Sequence, residues 1–192
     1  GVESHGLSLG VWSAVDDGWH SDVTYSEADI YLWYEFDWQD MQMYVAYARI
    51  EYIKDDISDN EIWAGISRPF VDGLIEPGLV YIYSTGLDGG FLNVVLKSEI
   101  PLMDEKLALK PYVQEGFAFG YPTPGHDGIN NFQAGLDVSY ALTDNVELSA
   151  KVARSWAQDS IDEEVSAEPE EGMEAPDYGD ETWGGVGVEV NF

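Results

Sequence analysis

Apolar and polar residues alternate with period two through most of the chain, and no helical period runs for a comparable length. Side chains in an extended strand point to opposite faces in turn, so such alternation predicts strands with one apolar and one polar face. Ten are legible: Gly6–Ala14, Tyr25–Asp37, Met41–Tyr52, Asn60–Arg68, Gly78–Thr85, Phe91–Ile100, Leu107–Gly120, Asn131–Leu142, Val146–Trp156 and a last one beginning at Trp183. The second is the cleanest, with Ile30, Leu32, Tyr34 and Phe36 opposing Asp29, Tyr31, Trp33, Glu35 and Asp37. In the third, Met41, Met43, Val45 and Tyr47 run into Arg49 and Glu51 on the same row, which predicts either a bulge or an exit from an apolar environment before Arg49. The last strand places Val186, Val188, Val190 and Phe192 on one face and Gly185, Gly187, Glu189 and Asn191 on the other.

The connections add a second pattern. Links after the second, fourth, sixth and eighth strands are short or turn-like: Trp38-Gln-Asp, Pro69 to Pro77, Pro101 to Lys106, and Thr143-Asp-Asn. Those after the first, seventh and ninth are long (Val15–Thr24, Tyr121–Asn130, Ala157–Glu181); the third is intermediate and Gly86–Gly90 is a short exception. Short turns at one rim and longer loops at the other are the habit of transmembrane barrels.

Composition sharpens this picture. Aromatic residues make up 14% of the chain, 7 Trp, 12 Tyr and 7 Phe, a surplus that aromatic girdles at two membrane interfaces explain. A soluble β-sandwich also favours such residues and is the competing architecture. The formal charge of −29 excludes phosphate-backbone recognition and attracts cations. There is no cysteine, hence neither disulfide nor thiolate metal site, and no apolar run long enough for a transmembrane helix.

The run Gly6-Leu-Ser-Leu-Gly-Val-Trp-Ser13, the alternating Glu27–Asp37 segment with its Asp-Ile-Tyr centre, and Trp183-Gly-Gly-Val-Gly-Val followed by a terminal aromatic resemble outer-membrane porins of the TorF type. The resemblance follows most of the chain in order and rests on strand patterns. It implies an antiparallel up-and-down transmembrane β-barrel in the cell outer membrane of a Gram-negative cell. The last strand then serves as the assembly signal through Val188, Val190 and Phe192. In that family another hairpin is expected upstream of the Gly-Leu-Ser-Leu strand, giving about twelve strands; about ten are expected in this chain, with any leader peptide lying before it.

A barrel of this kind is apolar outside and polar within. The residues expected to line the pore are therefore Asp29, Trp33, Glu35, Asp37, Lys97, Glu99, Lys110, Gln114, Asp137, Glu147, Lys151 and Glu189. Passive diffusion of small solutes or ions follows, cation-preferring on charge grounds, although Lys97, Lys110 and Lys151 make a local basic strip. The alternative is a non-conducting structural or adhesive barrel whose acidic loops bind a partner through divalent cations.

The expected partners are outer-membrane lipid and lipopolysaccharide, the barrel assembly machinery, and further copies of the chain or a surface complex. Nucleic acid is not among them. No catalytic residue is singled out: His20 and His126 sit near Asp16, Asp17, Asp22 and Asp127 in long loops, where such residues are ordinarily solvated. The 157–181 loop carries eleven carboxylates with Pro169 and Pro176, composition that forms no compact core. Its ligand order matches no EF-hand, so loosely held divalent cations are the most it suggests, with no defined cofactor or metal site.

Overall fold

The computed structural model describes residues 2–15, 26–54, 56–104, 106–122, 127–143, 145–158 and 179–190. The described residues hold eleven β-strands and no helix. They are β1 (Val2–Val15), β2 (Ser26–Trp38), β3 (Met41–Tyr52), β4 (Ile57–Ser67), β5 (Glu76–Ser84), β6 (Gly89–Lys97), β7 (Ile100–Leu102), β8 (Leu107–Phe119), β9 (Asp127–Thr143), β10 (Val146–Ala157) and β11 (Glu181–Val190). All belong to one antiparallel up-and-down sheet in the order β1-β2-β3-β4-β5-β6-β8-β9-β10-β11, with β7 paired to β8.

Eleven segments answer to the expected ten or so strands because one of those strands is split, and the cause of the split is a single proline. Lys97 faces Tyr112 and Ile100 faces Leu109, the same register on both sides of the gap. Between them the Ser98 amide donates to the Pro111 carbonyl at 3.0 Å. Proline has no N–H, so the return bond of that pair is missing and the ladder is interrupted. β6 and β7 are thus one stave broken at Ser98–Glu99, and the sheet has ten staves. An even number leaves the two ends of the order, β1 and β11, running antiparallel to each other.

The tightest turn follows from backbone conformation. Gln39 and Asp40 have φ of 50° and 60°, the left-handed pair of a two-residue hairpin that matches strand twist. At the same rim the 71–74 turn places β-branched Val71 at φ 53°, a costly conformation for that side chain.

The register carries one largely apolar face across the sheet, interrupted mid-strand by Glu115 of β8, which faces Val94 and Phe132. Leu9 faces Leu32, which faces Tyr47, which faces Ile62. Farther along, Leu79 faces Val94, and Leu136, Val152 and Gly184 share a row. Among the described residues nothing covers this face: Ile30, Leu32, Val45, Ile62 and Val152 are exposed. The opposite face is the concave one. One cavity of about 570 Å³ is lined by residues from Gly6 of β1 through to Lys97 of β6. Those strands would lie about 24 Å apart in a flat sheet, so the sheet curls toward its polar side.

Arg49 stays in register. Neither ladder of β3 contains a bulge, and Arg49 faces Ile30 and Asn60 on the apolar side. Its guanidinium donates to Glu51 at 2.7 Å, Ser58 at 2.7 Å and Asn60 at 3.2 Å. The apolar row therefore ends in a polar cluster at the rim where β3 gives way to β4, and the expected bulge is absent.

Candidate functional site

The concave face holds three distinct zones, and the first is built on two alanines. In β3, Ala46 and Ala48 are buried and too short to fill the space above them. Ala46 faces both Trp33 and Trp63; Ala48 faces both Tyr31 and Glu61. Side chains from β2 and β4 consequently meet over β3. Trp33 and Trp63 lie 5.6 Å apart edge to face, Tyr31 and Trp63 5.9 Å, and Trp33 and Tyr44 5.1 Å. The Tyr44 ring lies flat on Gly65, where an added Cβ would sit 2.1 Å from the ring, so glycine is required there.

Above the aromatic layer, toward the rim of the long loops, lie four carboxylates: Glu27, Asp29, Asp59 and Glu61, all buried. Asp29 and Glu61 are only 2% exposed. Buried charge is tolerated where donors surround it, and Glu61 has them: Trp63 Nε1 donates to it at 2.7 Å and the Tyr121 hydroxyl donates to its other oxygen. Burial, followed by the adjacent Glu61 carboxylate, pushes the Tyr121 phenol above the ordinary tyrosine range, which keeps it a proton donor at neutral pH. Asp59 accepts from the Ser84 hydroxyl, from the Gly86 amide at 2.8 Å and from the Asn60 amide at 2.7 Å. These two residues tie the 85–88 turn and the segment after β8 to the sheet. Asp29 accepts from the Tyr31 hydroxyl at 2.5 Å, while its Oδ1 has no hydrogen-bond partner.

The second zone is the cavity of about 570 Å³ at the short-turn rim, whose polar lining includes Glu35, Asp37, Gln42, Tyr44, Glu76 and Lys97. The third is the wall formed by β8 to β11. There a cavity of about 440 Å³ is lined by Lys110, Asp137, Glu147 and Lys151 with Ser139 and Ser149. Lys110 faces Asp137, which faces Lys151, which faces Gly185, so three charges form one row across β8, β9 and β10 that ends at Gly185 of β11. Lys110 Nζ lies 3.6 Å from Glu99, and Lys151 Nζ sits 5.0 Å above the Trp183 ring.

The ladders place Asp29, Trp33, Glu35, Asp37, Lys97, Glu99, Lys110, Gln114, Asp137, Glu147, Lys151 and Glu189 on the same concave face. They are not one cluster. Asp29 and Trp33 belong to the packed zone, Glu35, Asp37 and Lys97 to the lower cavity, and Lys110, Asp137, Glu147 and Lys151 to the far wall. Val188 and Val190 lie on the apolar face opposite Leu148 and Val146. Phe192, His20, His126 and the acidic stretch 159–178 lie outside the described residues.

Sequence reading missed Glu27, Asp59, Glu61, Tyr121 and Ser84 as a group. The signal that finds them is Ala46-x-Ala48 on the polar row of a strand lying between two rows rich in acids and aromatics. Among the described residues no group of His, Cys, Asp or Glu has the geometry to hold a metal ion. No protein-family model matches this chain, and no curated protein matches its sequence.

Proposed function

We propose that this chain is an outer-membrane β-barrel that acts as a porin-like channel for small solutes or ions, with a preference for cations. One observation carries the reading: a single sheet whose one face is largely apolar, with Glu115 of β8 the mid-strand exception, while its concave face gathers most of the charges. In water such a face would drive association; in a bilayer it meets lipid. The apolar rows end in Arg49 with Ser58 and Asn60 on β3 and β4, and in Arg154 on β10, which suits the level of lipid headgroups. Antiparallel ends suit closure of β1 on β11. Ten staves tilted as in known barrels enclose a cylinder about 20 Å across between backbones. The reading agrees with the resemblance to TorF-type porins.

The test begins with partitioning: the chain should require detergent or vesicles for a soluble folded state and should show heat-dependent mobility on gels. In planar bilayers it should give discrete conductance, with a reversal potential in a KCl gradient on the cation side. Folding in detergent-free buffer would overturn the membrane reading. Absence of conductance from a folded, inserted barrel would instead favour the structural or adhesive alternative, which the packed carboxylates and aromatics over β3 also suit.

A further inference from the structure

The inner wall is lopsided, and that asymmetry carries an inference about the route a solute takes. Resting on the closed-channel reading above, we propose that passage runs along the β8–β11 wall and that Lys110, Asp137 and Lys151 set its charge selectivity.

Over β2–β4 the lumen side is filled. The rings of Tyr31, Trp33, Tyr44 and Trp63 stack at 5.1 to 6.3 Å from one another, and Asp29 and Glu61 above them are 2% exposed. Glu61 spends both oxygens on Trp63 and Tyr121. Asp59 and Glu61 are therefore taken up by internal hydrogen bonds, and over Ala46 and Ala48 a hydrated ion finds no path between them. Glu35 and Asp37 lie below this level, in the cavity of about 570 Å³.

On the β8–β11 wall the situation is reversed. Lys151, Ser149 and Gly187 are exposed, and a cavity of about 440 Å³ opens beside them. The polar-face residues of β10 and β11 here are short, Ser149, Gly185 and Gly187, so the wall stands back from the axis. The charges that remain are of mixed sign: two lysines flank Asp137 in one row, with Glu147 two concave-face pairs below, beyond the Ser149–Ser139 pair. The basic groups should blunt a cation preference that the formal charge of −29 alone would make strong. A solute passing this wall meets both signs within neighbouring strands.

The experiment is single-channel recording of the full chain in planar bilayers under a KCl gradient. The Lys110→Gln/Lys151→Gln double variant should raise the K⁺/Cl⁻ permeability ratio by about threefold, the effect of a unit charge a few ångströms from an ion in water. Asp137→Asn should lower the ratio. Asp29→Asn, buried in the packed wall, should leave it within error of the parent.

The chain has no cysteine, so a second readout is clean. Conductance through Ser149→Cys should fall on addition of a charged methanethiosulfonate reagent, whereas Ala46→Cys should be inert. A parent channel that conducts but is insensitive to the lysine pair, or whose selectivity responds equally to Asp29→Asn, would overturn the route. A folded parent that never conducts would remove the channel reading itself, and the route with it.

Discussion

The β2–β4 wall and the β8–β11 wall carry the same alternating pattern, yet one is packed and the other open. The difference lies in what the intervening strand presents. Beneath the β2 and β4 side chains, β3 offers Ala46 and Ala48, so long side chains lean inward from both sides and exclude water. On β10 and β11, the long side chains are themselves sparse, and Lys151 rests on Trp183 at the edge of an open space. Polar residues thus become interior structure or solvated lining according to the volume of their neighbours two strands across. Charge alone does not separate the two cases.

That contrast is breakable by substitution, with refolding into detergent micelles against urea as the measurement. The largest effect is expected for Glu61→Ala, which strands the buried donors of Trp63 and Tyr121 and should cost about 2–4 kcal/mol. Glu147→Ala on the open wall should stay within about 0.5 kcal/mol; equal costs for the two would dissolve the distinction. Next comes Ala48→Leu, where added volume in a fully occluded trough should cost about 1–3 kcal/mol. Ser149→Ala should be near neutral.

Smaller effects probe the rim and the broken stave. Val71→Gly relieves a left-handed β-branched residue and should stabilise by about 1 kcal/mol, unless the turn relaxes by another route; an unchanged urea midpoint would show that it does. Pro111→Ala restores the missing donor opposite Ser98. Because the unfolded chain gains freedom at the same time, net stability should barely move. The sharper readout is hydrogen exchange: the new amide at 111 should be protected, and a freely exchanging one would refute the single-stave account of β6 and β7.

How much of this was legible in the sequence depends on whether the cause was local. Strand β2 was readable because its own residues segregate into Ile30, Leu32, Tyr34 and Phe36 against Asp29, Glu35 and Asp37. Strand β3 occupies the range read from its alternation, and Arg49 proved to be the end of an apolar row without a bulge. The split of β6 from β7 was not readable from Phe91–Ile100, since the missing donor belongs to Pro111 on the neighbouring strand. Burial of Glu27, Asp59 and Glu61 was likewise hidden, because a polar row looks the same whether it faces water or a trough floored by alanine. The twelve polar-face residues were found by parity, which the ladders preserve; their division into packed, chambered and open zones required the third dimension.

The order of the sheet also bears on how such a molecule comes together. Each long ladder joins a stave to its immediate successor in the chain. Pairings of this kind close short loops and cost little chain entropy, so hairpins can zip one after another. A cylinder needs one further pairing, β1 with β11, between segments at opposite ends of the sheet. Loop closure makes that contact the dearest in entropy, although the cost rises only with the logarithm of the intervening length. In a cylinder that seam would be the natural last step of folding and the joint at which the wall would first part under strain.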